Sequence, residues 1–307
     1  MVTAELRGPS WANNALHLDR LWLLIQRKET RHLRLYLNLL RSQNKFSRRR
    51  IVASGGPILS LTSYGARINS VYLAIESIAA AAFLPSRFIL WLDDRKAFHN
   101  LPATLERLQS RGLEVTLTEN LGPHTKYYPA LGIMNNFDQP LIIADDDQLY
   151  TRKWLVGLMD AYRDNPHVVN CYRAHTIKLL HDRIAPYKDW RSCDSDAPSM
   201  LHFATGVSGV ALPPVLLRLL KERGTEFRSL CPAADDIWLH ANAVRARLRT
   251  RQIGSWQRNF PVIPGTQERT LMVTNVDGSQ NDAQIAKTYS SRDIARLQEE
   301  LAQFEIV

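Results

Sequence analysis

Residues 140–147 read Pro140-Leu141-Ile142-Ile143-Ala144-Asp145-Asp146-Asp147. A short apolar run between a proline and three carboxylates has the form of a strand buried on both faces. Two stretches upstream share that form. Pro57-Ile58-Leu59-Ser60-Leu61-Thr62-Ser63 ends in small polar residues, and Phe88-Ile89-Leu90-Trp91-Leu92 ends at Asp93-Asp94. Helical patterns lie between them. Val71 to Ala82 is Ala-rich and stopped by Pro85, and Leu101 to Arg111 is closed by Gly112. Leu113 to Thr118 reads as another strand, and Lys126–Phe137 and Trp154–Arg163 as helices. This alternation predicts an α/β protein with a mostly parallel, Rossmann-like sheet flanked by helices. Ligands of such sheets bind outside the carboxyl ends of the strands, and both acidic clusters fall there.

The second half is less regular. It offers a strand near His167–His175, a loop-rich stretch over 181–200, and small-residue turns within Phe203–Leu212. Helices are expected over Asp235–Arg249 and Arg292–Phe304. The domains expected are a basic helical arm (1–52), a catalytic domain (53–275, its nucleotide-binding half ending at 150) and a C-terminal tail with a helix (276–307).

Composition narrows the function classes. The 307 residues are 45% hydrophobic and 22% charged, which excludes a disordered chain. Cys171, Cys193 and Cys231 form no CxxC, which argues against a zinc module and for a reducing compartment. No apolar run reaches the roughly 18 residues that span a bilayer, and the start lacks a signal-peptide pattern. The expected location is cytoplasmic, peripheral on the inner membrane face. Residues 1–50 hold 11 Lys+Arg against 3 Asp+Glu, whereas the rest hold 28 against 27. Nearly all of the net charge of +9 therefore belongs to the N-terminal arm. Leu18, Leu21, Trp22, Ile25, Leu33, Leu37 and Leu40 give residues 16–41 a helical apolar face with arginines between. An anionic membrane surface is the expected partner of residues 16–50, against a helix packed on the body or a dimerisation helix. Nucleic acid is not expected, because no recognisable module accompanies the arm.

Three adjacent carboxylates repel one another, and a divalent cation is the simplest neutraliser. Mg²⁺ or Mn²⁺ takes oxygen ligands. In an extended segment residues i and i+2 face one side, so Asp145 and Asp147 can share a site while Asp146 points elsewhere. The competing reading is a solvated turn with one Asp capping the next helix.

In these segments the chain resembles the nucleotide-sugar-dependent glycosyltransferases of GT-A fold, of the family 2-like group that builds bacterial surface polysaccharides. The resemblance covers about residues 57–250. Thr62, Tyr64 and Arg67 match the donor-nucleotide side, Asp94 the second strand end, and Leu141–Asp147 the DxD strand. Gly206-Val207-Ser208-Gly209 is similar to the segment lining the sugar and acceptor site, and Ala234–Leu239 to the "ED" motif, with Asp235 in the Glu place. The resemblance implies a metal held by Asp147 and Asp145, and donor contacts from Asp145 and Asp146. It implies Asp236 as the base with Asp235 beside it, and Gly206, Gly209 and Trp238 along the acceptor. Lys126, after a Gly-Pro turn, is expected on the donor phosphates; the alternative is a surface loop. Arg67 has the alternative of pairing with Glu76, and Asp235 or Asp236 that of merely capping a helix. The family often adds a late His to the metal. None follows His240, so Asp277 or Asp282 is the candidate substitute.

The implied activity is metal-dependent transfer, with inversion, from a nucleoside-diphosphate sugar, UDP being the expected nucleotide, to a glycan or lipid-linked acceptor. The rivals are a nucleotidyltransferase, a non-catalytic glycan- or nucleotide-binding scaffold, and a basic-armed nuclease. The first would carry a Gly-rich phosphate loop after the opening strand, where this chain has Gly65 alone.

Overall fold

The computed structural model describes residues 30–181, 183–266 and 280–305. In chain order, helix α1 (Thr30–Phe46) precedes β1 (Ile58–Thr62), α2 (Val71–Ala79), β2 (Arg87–Leu92), α3 (Arg95–His99), α4 (Ala103–Gln109), β3 (Leu113–Leu117), α5 (Tyr128–Ile133), β4 (Leu141–Ile143) and α6 (Trp154–Asp164). There follow β5 (Val169–Cys171), β6 (Ala174–Thr176), β7 (Arg191–Ser192), β8 (His202–Ala204), β9 (Val210–Leu212), α7 (Pro214–Arg223), α8 (Phe227–Leu230), α9 (Asp235–Arg245), β10 (Thr250–Gln252), α10 (Gln280–Thr288) and α11 (Ser291–Glu305).

Seven strands form one sheet in the order β10-β5-β9-β4-β1-β2-β3. Strands β1 to β4 are mutually parallel, β10 is parallel to β5, and β9 alone runs against its neighbours β4 and β5. The expected mostly parallel sheet is thus present, with one reversal that the sequence did not announce. The single strand expected near 167–175 is two, β5 in the main sheet and β6 in a small antiparallel sheet β7-β6-β8.

Successive residues of each apolar run go to opposite faces. Leu59, Leu61, Leu90, Leu92 and Ile142 pack into one layer with α2, α4 and α6. Ile58, Ile89, Trp91, Leu141 and Ile143 pack into the other with α7 and α9. Burial on both faces is why these strands show no polar alternation. From β1 the chain adds β2 and β3 on one side, then returns to lay β4 on the other. The gap between the carboxyl ends of β1 and β4 is therefore the switch point where such sheets bind ligands.

From Thr30 onward the expected arm lies against the body. Tyr36, Leu37 and Leu40 of α1 are buried on Leu73, Ala74, Leu149 and Ile263. Beside them Gln43 and Asn44 donate to the buried Glu76 carboxylate at 2.8 and 3.0 Å, which also pairs with Arg111. Glu76 therefore serves α1 and Arg111 rather than Arg67. Residues 1–29 of the expected arm and Asp277 lie outside the described residues. Among the described residues no helix is long and apolar enough to cross a membrane.

Candidate active site

Each side of the switch point contributes one cation. After β1 the chain makes a 3₁₀ turn, Gly65–Asn69, with Gly65 at φ +56°. That turn aims Arg67 back across the strand ends. Its Nη1 donates to Asp146 Oδ1 at 3.0 Å and lies 3.2 Å from Asp147 Oδ2, while Nε donates to the Thr266 carbonyl. Before β4, the turn Gly122–Lys126 carries Lys126. Ser60 Oγ of β1 donates to the Lys126 carbonyl at 2.6 Å and accepts from Trp91 Nε1 at 2.8 Å. The buried His124 ring meets the Cys231 carbonyl at 2.7 Å, stacks on Phe227 and is held neutral, since burial pushes its pKa down to about 3. It is a structural pin for the turn. So fixed, Lys126 Nζ donates to Asp145 Oδ1 at 3.1 Å and lies 3.4 Å from Asp235 Oδ2.

The three aspartates divide their work. Asp146 is buried and faces inward, accepting from Ser63 Oγ at 2.6 Å as well as from Arg67. Burial pushes its carboxyl up, against the opposing pull of Ser63 and Arg67. In this arrangement it braces the loop. Asp145 and Asp147 take different cations, Lys126 and Arg67. Neither caps α6, whose N-cap position is Lys153. The Asp145 backbone N–H donates to the buried Tyr150 hydroxyl at 2.8 Å, and the Tyr150 ring lies against Trp154.

Helix α9 opens at the same place. Its N-cap position is Ala234, which has no side chain to cap with, so Asp235 and Asp236 sit in the first turn. Asp236 Oδ1 accepts from the Ile237 N–H at 2.9 Å. The side chain borders a narrow cavity lined also by Gly206, Ile143, Val210, Leu239 and His240. Burial, reinforced by Asp235 and opposed by Lys126, pushes the Asp236 carboxyl up to about 7. A helix N-terminus ordinarily favours the charged carboxylate, and here burial and Asp235 overcome that. For Lys126, burial favours the neutral form, but Asp145 and Asp235 outweigh it and hold the ammonium charged. A Cβ at Gly206 would lie 3.1 Å from Lys126 Nζ, so the absent side chain keeps this ground clear.

The other expected site residues make the following contacts. Gly209 has φ +96°, and a Cβ there would come within 2.4 Å of Trp154 Cζ2. Its missing side chain is what lets the backbone pack against that indole. Trp238 is fully buried in the core near Phe227, so it offers no ring face to an acceptor. Asp94 Oδ1 caps α3 through the Lys96 and Ala97 N–H groups. Thr62 Oγ1 donates to the Trp91 carbonyl at 3.1 Å. Tyr64 is exposed, with the Arg67 guanidinium over its ring. Asp282 accepts from the Tyr187 N–H at 2.7 Å and ties α10 down instead of reaching the site. Ser60 and Tyr150 were not singled out from the sequence.

The residues present fit a divalent cation by donor chemistry. Asp145, Asp146, Asp147, Asp235 and Asp236 gather about the cations Arg67 and Lys126, and the buried Asp235 Oδ2, 3.4 Å from Lys126 Nζ, accepts no hydrogen bond. Among the described residues no three His, Cys, Asp or Glu groups are arranged as a complete metal cage. Mg²⁺-type sites ordinarily take one or two carboxylates and complete the shell with water and substrate phosphate.

No family model matches the chain, and no curated protein sequence does. In shape it is similar to several solved proteins. The mannosyltransferase PcManGT of Pyrobaculum calidifontis, solved with GDP-Man and Mn²⁺, is 14% identical over 86% of this chain and 73% of its own, with a TM-score of 0.47. TarS 1–349 of S. aureus is 13% identical over 66% and 59%, with a TM-score of 0.41. The 4-diphosphocytidyl-2C-methyl-D-erythritol synthase of Anaerococcus prevotii is 11% identical over 73% and 97%, at 0.47.

Proposed function

We propose that the protein is a metal-dependent glycosyltransferase that moves a sugar from a nucleoside-diphosphate donor, UDP being the expected nucleotide, to a hydroxyl of a glycan or lipid-linked acceptor. The observation that carries this reading is the junction made by Lys126. It ties Asp145, beside the switch point, to Asp235, next to a carboxyl raised to about 7. Asp145 and Asp147 would hold Mn²⁺ or Mg²⁺, and the metal's charge would stabilise the leaving diphosphate. Asp236 accepts the proton of the attacking hydroxyl, a task suited to a base with a pKa near the working pH. Lys126 keeps Asp145 and Asp235 apart in charge and adds a cation beside the departing phosphates. Arg67 and Ser63 fix the aspartate loop, and Tyr64 offers an exposed ring beside Arg67 for the donor base. Attack on the face opposite the leaving group inverts the anomeric carbon.

Nucleotidyl transfer is the second reading. Against it, the place after β1 where a Gly-rich phosphate loop would lie reads Thr62-Ser63-Tyr64-Gly65-Ala66-Arg67, with a single glycine.

The test is calorimetric titration with UDP, GDP, CDP and CMP, each with and without Mn²⁺, on the wild type and Asp147→Asn. Metal-dependent binding of one nucleoside diphosphate, lost in the variant, is the expected result. Indifference to metal across all four nucleotides would overturn the assignment of Asp145 and Asp147. Binding without sugar release in a turnover assay would leave a scaffold.

A further inference from the structure

Helix α1 buries one face on the body and leaves a second apolar stripe outside. Leu35, Leu39 and Phe46 are 49%, 50% and 71% exposed. At about 100° per residue they fall within about 40° of one another. Tyr36, Leu37 and Leu40, which hold the helix to the body, point the other way. An exposed row of large apolar side chains is not explained by folding and marks an interaction face.

The charges beside this row all have one sign. Arg31, Arg34, Arg41 and Lys45 are exposed on α1, and the helix carries no Asp or Glu. Exposed Arg48, Arg49 and Arg50 continue the patch past its end. A protein partner or second copy of this chain would need a matching acidic and apolar surface. A bilayer of acidic phospholipid supplies both at once, with acyl chains under a plane of negative headgroups. We infer that the outer face of α1 docks on an anionic lipid surface, Leu35, Leu39 and Phe46 entering the interface and the flanking cations meeting phosphate.

Position adds a consequence. The inner face of α1 rests on Leu149 and Ile263, and the Ile263 N–H donates to the Asp147 carbonyl at 2.7 Å. The docking helix therefore packs directly on the segments that carry the aspartate loop. This inference stands on α1 alone and does not depend on the sugar-transfer reading.

Co-sedimentation of the full chain with vesicles tests it. Phosphatidylcholine vesicles are compared with vesicles containing phosphatidylglycerol, at low and high salt. One variant carries Arg34→Gln, Arg41→Gln and Lys45→Gln; the other carries Leu35→Ser, Leu39→Ser and Phe46→Ser. Binding is expected only to the anionic vesicles and to weaken with salt. At about fivefold per cation, the first variant loses roughly a hundredfold at low salt. The second loses binding as well, with thermal unfolding unchanged in both. A Leu39→Trp variant, read by quenching from brominated lipid, reports insertion directly. Equal binding to neutral vesicles, no binding to anionic ones, or either triple variant binding like the wild type would overturn the proposal. Retention on DNA that depends on the cations but not on the apolar triple would assign the face to nucleic acid. A fall in oligomeric mass in the apolar variant, with vesicle binding intact, would assign it to self-association.

Discussion

Asp236 shows how much a side chain's neighbours decide. A carboxylate in the first turn of a helix is ordinarily favoured, yet the narrow cavity and Asp235 next door raise this one to about 7. As a base it must be ionised, so kcat/KM for transfer is expected to rise with pH through about 7, and Asp236→Asn to lose roughly 10²–10⁴-fold. The linkage to stability has the opposite slope. Between the ordinary 3.8 and about 7 the native protein holds a proton that the unfolded chain has released, so this group's contribution to stability falls as pH rises across that window. Flattening of that part of the pH–stability curve in Asp236→Asn checks the second half. The aspartates themselves were legible in the sequence, because three acids after an apolar run are conspicuous. Their supports were not. Ser63 and Ser60 are ordinary residue types whose partners, Asp146, Lys126 and Trp91, come from distant parts of the chain, and Tyr150 gains its role only once it is buried beside Asp145.

At the scale of elements, the turn from Gly206 to Gly209 separates two glycines that look alike in sequence. Gly206→Ala places a methyl beside the Lys126 ammonium. Turnover is expected to fall while the unfolding midpoint stays within the small range of surface substitutions. Gly209→Ala meets a positive φ and the Trp154 indole together. It is expected to cost about 1–3 kcal/mol of stability or more, read by denaturant unfolding. A resemblance in short segments marks that small residues belong here; it carries no information about which one faces a lysine and which a tryptophan. The strands β1 to β4 were readable because burial on both faces writes itself as an unbroken apolar run. Strands β8 and β9 fall at the two ends of the stretch 203–212, whose small residues read as turns and hide them.

Across the whole molecule, Glu76 joins parts far apart in sequence. In an Ala-rich helix it reads as a surface acid, but it lies fully buried between Arg111, Gln43 and Asn44. Removing one partner leaves a buried charge without compensation. Glu76→Ala is expected to destabilise by about 3–5 kcal/mol in denaturant unfolding, and Glu76→Leu with Arg111→Met by less. The same network explains why a composition break near residue 52 does not free the described part of the arm: α1 supplies two of the donors that satisfy a buried acid. Strand β9 has a different kind of consequence. It arrives late in the chain yet is the partner that covers β4 on the side away from β1. As the chain emerges from its N-terminus, β4 is complete long before that partner exists. Until Val210–Leu212 is made, the nascent protein carries Leu141–Ile143 as a bare apolar edge, the kind of surface that invites pairing with a neighbouring chain.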